Sequence, residues 1–192
     1  MTSVPTRDRI LDAAERLFFN DGITVTGVDR VADSAGVAIA TLYNHVGSKE
    51  GLVEAVLSRR LDAWREHWDA AVAAAGSPDE RLVAVFDAVV SYRQTAVPTQ
   101  WCCFLATASE RPRGAGSDPV RALLDQDTSL LTERLQELAG AAQLDDPDGV
   151  AAQLLLLYNG ALTSLLRGTP DRPVERARRL AQVVVETSTR SG

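Results

Sequence analysis

Apolar residues recur along most of the chain at intervals of three and four, with no stretch of strict alternation. Ile10, Ala13, Ala14, Leu17 and Phe18 form one stripe, because 3.6 residues per turn bring such positions to a single helix face. Gly22 supplies the stop for that first helix. Thr26-Gly27-Val28-Asp29 has the spacing of a capping box, with Asp in place of Glu or Gln, and predicts a short helix through about Ala35. Gly36 turns the chain into a third helix from about Ala38 to Val46. Ser48 caps a long fourth helix with Val53, Val56, Arg60, Trp64, Trp68 and Ala71 on one stripe, ending near Gly76.

Five more helices follow. One begins after Ser77-Pro78-Asp79 and runs to about Thr95, and a shorter one spans about Gln100 to Glu110. The segment Arg111 to Ser117 is a loop. Asp118-Pro119 opens a helix to about Ala142, since Asp caps and Pro is tolerated at the first helical position. Asp146-Pro147 repeats the device ahead of an apolar helix to Arg167, and Arg172-Pro173 precedes the last, to about Thr187. The pattern predicts an all-α protein of about nine helices. Residues 1–50 form a three-helix N-terminal domain, residues 51–192 a larger helical one, and the helix at about 48–75 links the two.

Composition narrows the function. The chain has 192 residues, 45% of them apolar, which suffices for a buried core. The net charge is −6, and residues 1–60 are close to neutral, so any DNA contact rests on a few placed cations rather than a basic field. Cys102 and Cys103 are adjacent. Neighbours rarely bridge each other and two cysteines make no structural zinc site, so they read as small apolar helix residues, with a redox-sensing thiol as the alternative. Asp145, Asp146 and Asp148 lack calcium-loop spacing and read as capping and helix-dipole chemistry. No nucleophile–base pair or metal cluster stands out, so neither an enzyme nor a metal or other cofactor is expected. The start of the chain has no signal-peptide pattern. The longest apolar segment, Val150 to Leu166, is interrupted by polar residues and falls short of the ~20 needed to cross a bilayer. A soluble, cytoplasmic protein with no membrane partner is expected.

Two short helices joined by a glycine turn are the skeleton of a helix-turn-helix. Val28, Val31, Ala32, Val37, Leu42 and Val46 can form its core. Ile39, Ala40, Thr41, Tyr43, Asn44 and His45 are then left to face outward, with hydrogen-bonding groups of the kind that reach phosphates and base edges. Lys49, the only lysine in the chain, stands at a helix N-terminus, where the dipole disfavours a cation and a phosphate partner would explain it.

The whole run from Thr26 to Leu52, with the helix before it, resembles the DNA-binding domain of the TetR family of repressors, over about residues 6–55. The resemblance implies a C2 homodimer bound to double-stranded palindromic operator DNA. It also implies a second domain that binds a small-molecule effector and dimerises through its last two helices. By position, it places Tyr43, His45 and Lys49 on phosphates, Thr26 near the DNA backbone, and Ile39, Ala40, Thr41 and Asn44 in the major groove. Three positions depart from the family pattern. Ile39 replaces a frequent cation or polar residue, Asn44 a basic or aromatic one, and Val46 a Phe. The recognition helix therefore lacks Arg and Lys, which points to thymine methyls and adenine as its readout.

Aromatic residues are few, so their positions are informative. Trp64, Trp68, Phe86, Trp101, Phe104 and Tyr158, with Asn159 as a polar group, either pack the core or line a mainly apolar cavity for a small, uncharged, hydrophobic effector. The last helix, with Ala177, Leu180, Ala181 and Val184, is expected to join the apolar eighth helix in the dimer interface. Two other readings stay open. One is a thiol-based redox-sensing regulator on the same fold, and the other a ligand-binding dimer that has lost DNA binding.

Overall fold

The computed structural model describes residues 4–95, 103–111 and 118–188. Among them the regular elements are nine α-helices: α1 (Thr6–Asp21), α2 (Val28–Ala35), α3 (Ile39–Val46), α4 (Lys49–Ala74), α5 (Pro78–Thr95), α6 (Cys103–Glu110), α7 (Pro119–Ala141), α8 (Pro147–Arg167) and α9 (Pro173–Thr187). The protein is all-α. Helices α5, α7, α8 and α9 each open on a proline, whose missing N–H costs nothing where no helical acceptor exists. The Asp146 carboxylate accepts the Gly149 amide at 2.9 Å at the start of α8, as its position before Pro147 predicts. Ser48 accepts the Gly51 amide at 2.9 Å at the start of α4.

The predicted capping box at the start of α2 does not form. Gly27 is the N-cap and makes no side-chain bond. Thr26 is fully buried instead, and its hydroxyl donates to the Gly22 carbonyl at 2.7 Å. The side chain turns back toward the end of α1, where carbonyls lack helical partners, rather than forward to the orphan amides of α2.

The chain forms two compact units. The first holds α1 to α3, α4 up to Leu61, α6, and α7 up to Asp125. It thus takes in more than residues 1–50. Its core joins Ile10, Leu11, Ala14 and Phe18 of α1 to Val31 and Ala32 of α2, Leu42 of α3, and Leu52, Val53, Val56 and Leu57 of α4. Arg59 on α4 bonds Asp12 at 2.7 Å and Glu15 at 2.6 Å on α1. Arg60 is buried, reaches the same Glu15, and lies 5.5 Å from the centre of the Phe19 ring. A carboxylate and an aromatic face together offset the desolvation of that guanidinium. Val28, Val37 and Val46, expected in the core, are half-buried at its edge.

The second unit holds α4 from Asp62, α5, α7 from Gln126, α8 and α9. Helix α9 packs against α8 and α5, and Ala88, Ala161, Ala177 and Ala181 on these helices are buried. Arg178 of α9 bonds Asp87 of α5 at 2.8 Å, and Arg134 of α7 pairs with Asp69 of α4 at 2.6 Å. Ala177 and Ala181, expected at a dimer interface, are buried within this unit. Helix α8 reaches back to Pro147, three residues ahead of the apolar segment. Contrary to expectation, it is long and apolar enough to cross a membrane by length and composition. In the fold, Val150, Leu154, Tyr158 and Ala161 of this helix are buried against the unit.

Candidate functional site

The candidate DNA-reading element is α3, and the chain around it fixes how it is displayed. Gly36 and Gly47 bracket it at φ of 65° and 72°, in the left-handed region where a side chain is strained. A Cβ at Gly51 would collide with the Val46 carbonyl, so glycine there lets α4 start tight against the end of α3. Leu42 is fully buried and anchors the helix. Ile39 and Tyr43, one turn apart, are 45% and 41% exposed, which is high for large apolar groups and leaves them free to touch a partner. Ala40, Asn44 and His45 are exposed as well, and Thr41 is half-buried. The structure thus puts most of the residues singled out on this helix on its solvent side. Thr26 differs: it is fully buried and its hydroxyl is bonded internally.

Lys49 donates its Nζ to the Thr24 carbonyl at 3.1 Å. The same loop is held from the other side by Glu110, the last residue of α6. Its carboxylate accepts from the Ile23 amide at 3.3 Å, the Thr24 amide at 2.9 Å and the Thr24 hydroxyl at 2.8 Å. Burial alone would raise the Glu110 pKa. The bonds from Thr24 and Ile23 and the charge of Lys49 outweigh that and hold it below the ordinary glutamate value. Glu110 and Thr24 escaped the reading of the sequence, where 86 residues separate them and no local pattern joins them.

Aromatic side chains gather in the second unit. The Trp64 ring lies 5.8 Å from Trp68, 5.9 Å edge-on from Tyr92, and 5.9 Å from Tyr158. Tyr92 was not anticipated, since nothing in the α5 sequence marks that residue as facing α4. His67 packs edge-on to Tyr92 at 5.5 Å, with its Nδ1 2.7 Å from the Ser91 hydroxyl and its Nε2 3.3 Å from the Thr95 hydroxyl. Phe86 is fully buried on α5, and Asn159 is half-buried beside Tyr158 on α8. Phe104 is buried on α6, in the first unit. Trp101 and Cys102 lie outside the described residues, as do residues 112–117 of the expected loop. Cys103 is buried. The guanidinium of Arg134 sits 4.5 Å over the Trp68 ring. Nearby on α7, burial pushes the Asp127 carboxyl up to about 7, against the opposing pull of Arg65. Among the described residues no group of His, Cys, Asp and Glu is arranged to hold a metal ion.

A short helix displayed on a three-helix scaffold, its exposed face rich in hydrogen-bonding groups, defines a helix-turn-helix DNA-binding protein. Residues 10–56 match the bacterial regulatory proteins of the tetR family. The HTH-type transcriptional regulator BetI of Rhizobium meliloti is 31% identical over 80% of this chain and 74% of its own length. A 39% identity to the HTH-type transcriptional repressor KstR2 of Mycolicibacterium smegmatis covers 42% of this chain, and the chain spans about two fifths, 39%, of that relative. The crystal structure of a TetR-family transcriptional regulator from Streptomyces coelicolor superposes with a TM-score of 0.85 at 27% identity, covering 94% of both chains. The chain belongs to the tetR family of bacterial transcriptional regulators, a family of DNA-binding proteins and not of enzymes.

Proposed function

We propose that this protein is a homodimeric, cytoplasmic repressor that holds a palindromic operator with two copies of α3 and releases it when a small, mainly apolar effector binds. The observation that carries the reading is the solvent face of α3, where Ile39, Ala40, Tyr43, Asn44 and His45 stand exposed around a single buried anchor, Leu42. Ile39 and Ala40 suit thymine methyls, and Asn44 suits adenine. Tyr43, His45 and Lys49 would grip phosphates. Lys49 already lies at the α1–α2 loop, so a phosphate there competes with, or joins, its bond to the Thr24 carbonyl.

Exposed apolar side chains on the last two helices support dimerisation. Leu156 on α8 is 73% exposed, and Leu180 and Val183 on α9 are 56% and 54% exposed. Exposed apolar residues on two adjacent helices fit a self-complementary C2 contact. The aromatic cluster of Trp64, Trp68, Tyr92 and Tyr158 supports an effector site. Helix α4 runs from Lys49 through both tryptophans, so a ligand that displaces Trp64 and Trp68 would act on the helix that starts beside α3. A tenfold loss of DNA affinity needs only ~1.4 kcal/mol of coupling.

Selection of bound fragments from random DNA tests the function. The expected product is an inverted repeat whose binding is lost when Tyr43 is replaced by Ala. Recovery of no preferred sequence would favour the ligand-binding dimer without DNA binding.

A further inference from the structure

The effector's polar chemistry can be read from two atoms that the fold leaves unused. Trp68 is fully buried and Trp64 is 5% exposed, yet the indole Nε1 of each has no hydrogen-bond partner among the described residues. Buried donors are nearly always paired, because an unpaired one forfeits its bond to water and gains nothing in return. Two such donors one helical turn apart, with ring centres 5.8 Å from each other, are a doubled exception. A core built for packing alone could replace either indole with an apolar ring. The surroundings favour an electron-rich partner, since the Arg134 guanidinium lies over the Trp68 face, draws π density toward itself and leaves the indole N–H a stronger donor.

We propose that the Trp64 and Trp68 indole N–H groups are the polar end of the effector site, and that the effector is a small apolar molecule bearing a carbonyl or carboxylate oxygen which both donors grasp. The inference rests on the effector-release reading and narrows it. A pure hydrocarbon would satisfy the Tyr92 and Tyr158 faces and leave both donors stranded, whereas an oxygen acceptor pairs them. Sites built to hydrogen-bond a ligand discriminate strongly against analogues that lack the group.

The test uses the full-length protein and a matched panel: octanoate, 2-octanone and octane, each followed through the indole ¹H–¹⁵N resonances assigned to Trp64 and Trp68. Octanoate or 2-octanone should shift both resonances and bind at least tenfold more tightly than octane, and the stronger of the two identifies the oxygen. Replacing Trp68 with benzothienylalanine, in which sulfur stands for N–H at nearly unchanged volume, should abolish that preference and leave the Tm unchanged or raised. Equal binding of all three compounds, no binding of any, or a preference that survives the replacement would overturn the proposal. So would a Tm lowered by several degrees, because the N–H would then serve the fold. Binding with both indole shifts but without release of DNA would leave the site standing and refute the effector-release reading instead.

Discussion

Single side chains divide here into those proposed to face DNA and those that set the protein's own energetics. Lys49 has one amine and one charge to offer a phosphate. Lys49→Ala should weaken binding to all DNA sequences about equally and lower the slope of log affinity against log salt by about one. Unchanged affinity and slope in a titration at several salt concentrations would remove Lys49 from the interface. Asn44→Ala should instead change which sequence is preferred, by about 1–3 kcal/mol at one base pair. Asp127 carries a different kind of prediction. Burial raises its carboxyl to about 7 from an ordinary 3.8. The folded state therefore holds a proton that the unfolded state releases between those values, and this group's contribution to stability falls as pH rises through that window. Asp127→Asn stays neutral throughout. Its stability relative to the parent should be greater at pH 8 than at pH 4, by at least about 1.4 kcal/mol, the worth of one pKa unit. A difference that does not vary with pH, measured by denaturant unfolding, would show that Asp127 titrates normally.

At the scale of elements, the junction of the α1–α2 loop with the end of α6 is the feature that stands apart. The Glu110 carboxylate takes two amides and a hydroxyl from that loop, next to Lys49. Its depressed pKa means that the clasp is present above the ordinary glutamate range and is lost as pH falls through the lowered value. Glu110→Ala should speed hydrogen exchange at the Ile23 and Thr24 amides at neutral pH, with the core amides of α2 little changed. Equal protection in parent and variant would mean that the clasp does not persist in solution. This contact also shows where sequence reasoning stops. Helix ends were legible because Pro119, Pro147, Pro173, Gly36 and Gly47 act locally, each through one fixed φ or one missing N–H. The outward face of α3 was legible because Leu42 falls in register with the apolar residues of α2, which turns Tyr43, Asn44 and His45 outward. Thr26 was misread because its hydroxyl has two local options, the amides ahead and the Gly22 carbonyl behind, and only packing chooses between them. Glu110, Tyr92 and the unpaired indoles are products of tertiary placement, and periodicity says nothing about them.

For the whole molecule, the proposed function depends on two copies acting together. Leu156, Leu180 and Val183 are exposed in one chain and free to change without disturbing its core. Leu156→Asp combined with Leu180→Asp should yield a folded monomer by sedimentation at micromolar concentration. It should also weaken operator binding by orders of magnitude, since two linked contacts become one. A dimer that persists in this variant would place the interface elsewhere. The central claim is that two α3 helices, held by one rigid dimer, read two half-sites in successive major grooves about 34–36 Å apart. Changing the distance between the half-sites of the selected operator tests it most directly. Inserting ~5 base pairs turns the second half-site to the far side of the duplex, and binding in a mobility-shift titration should collapse to that of a single half-site. Affinity that is unaffected by the insertion would contradict the account, because each α3 would then be reading DNA on its own.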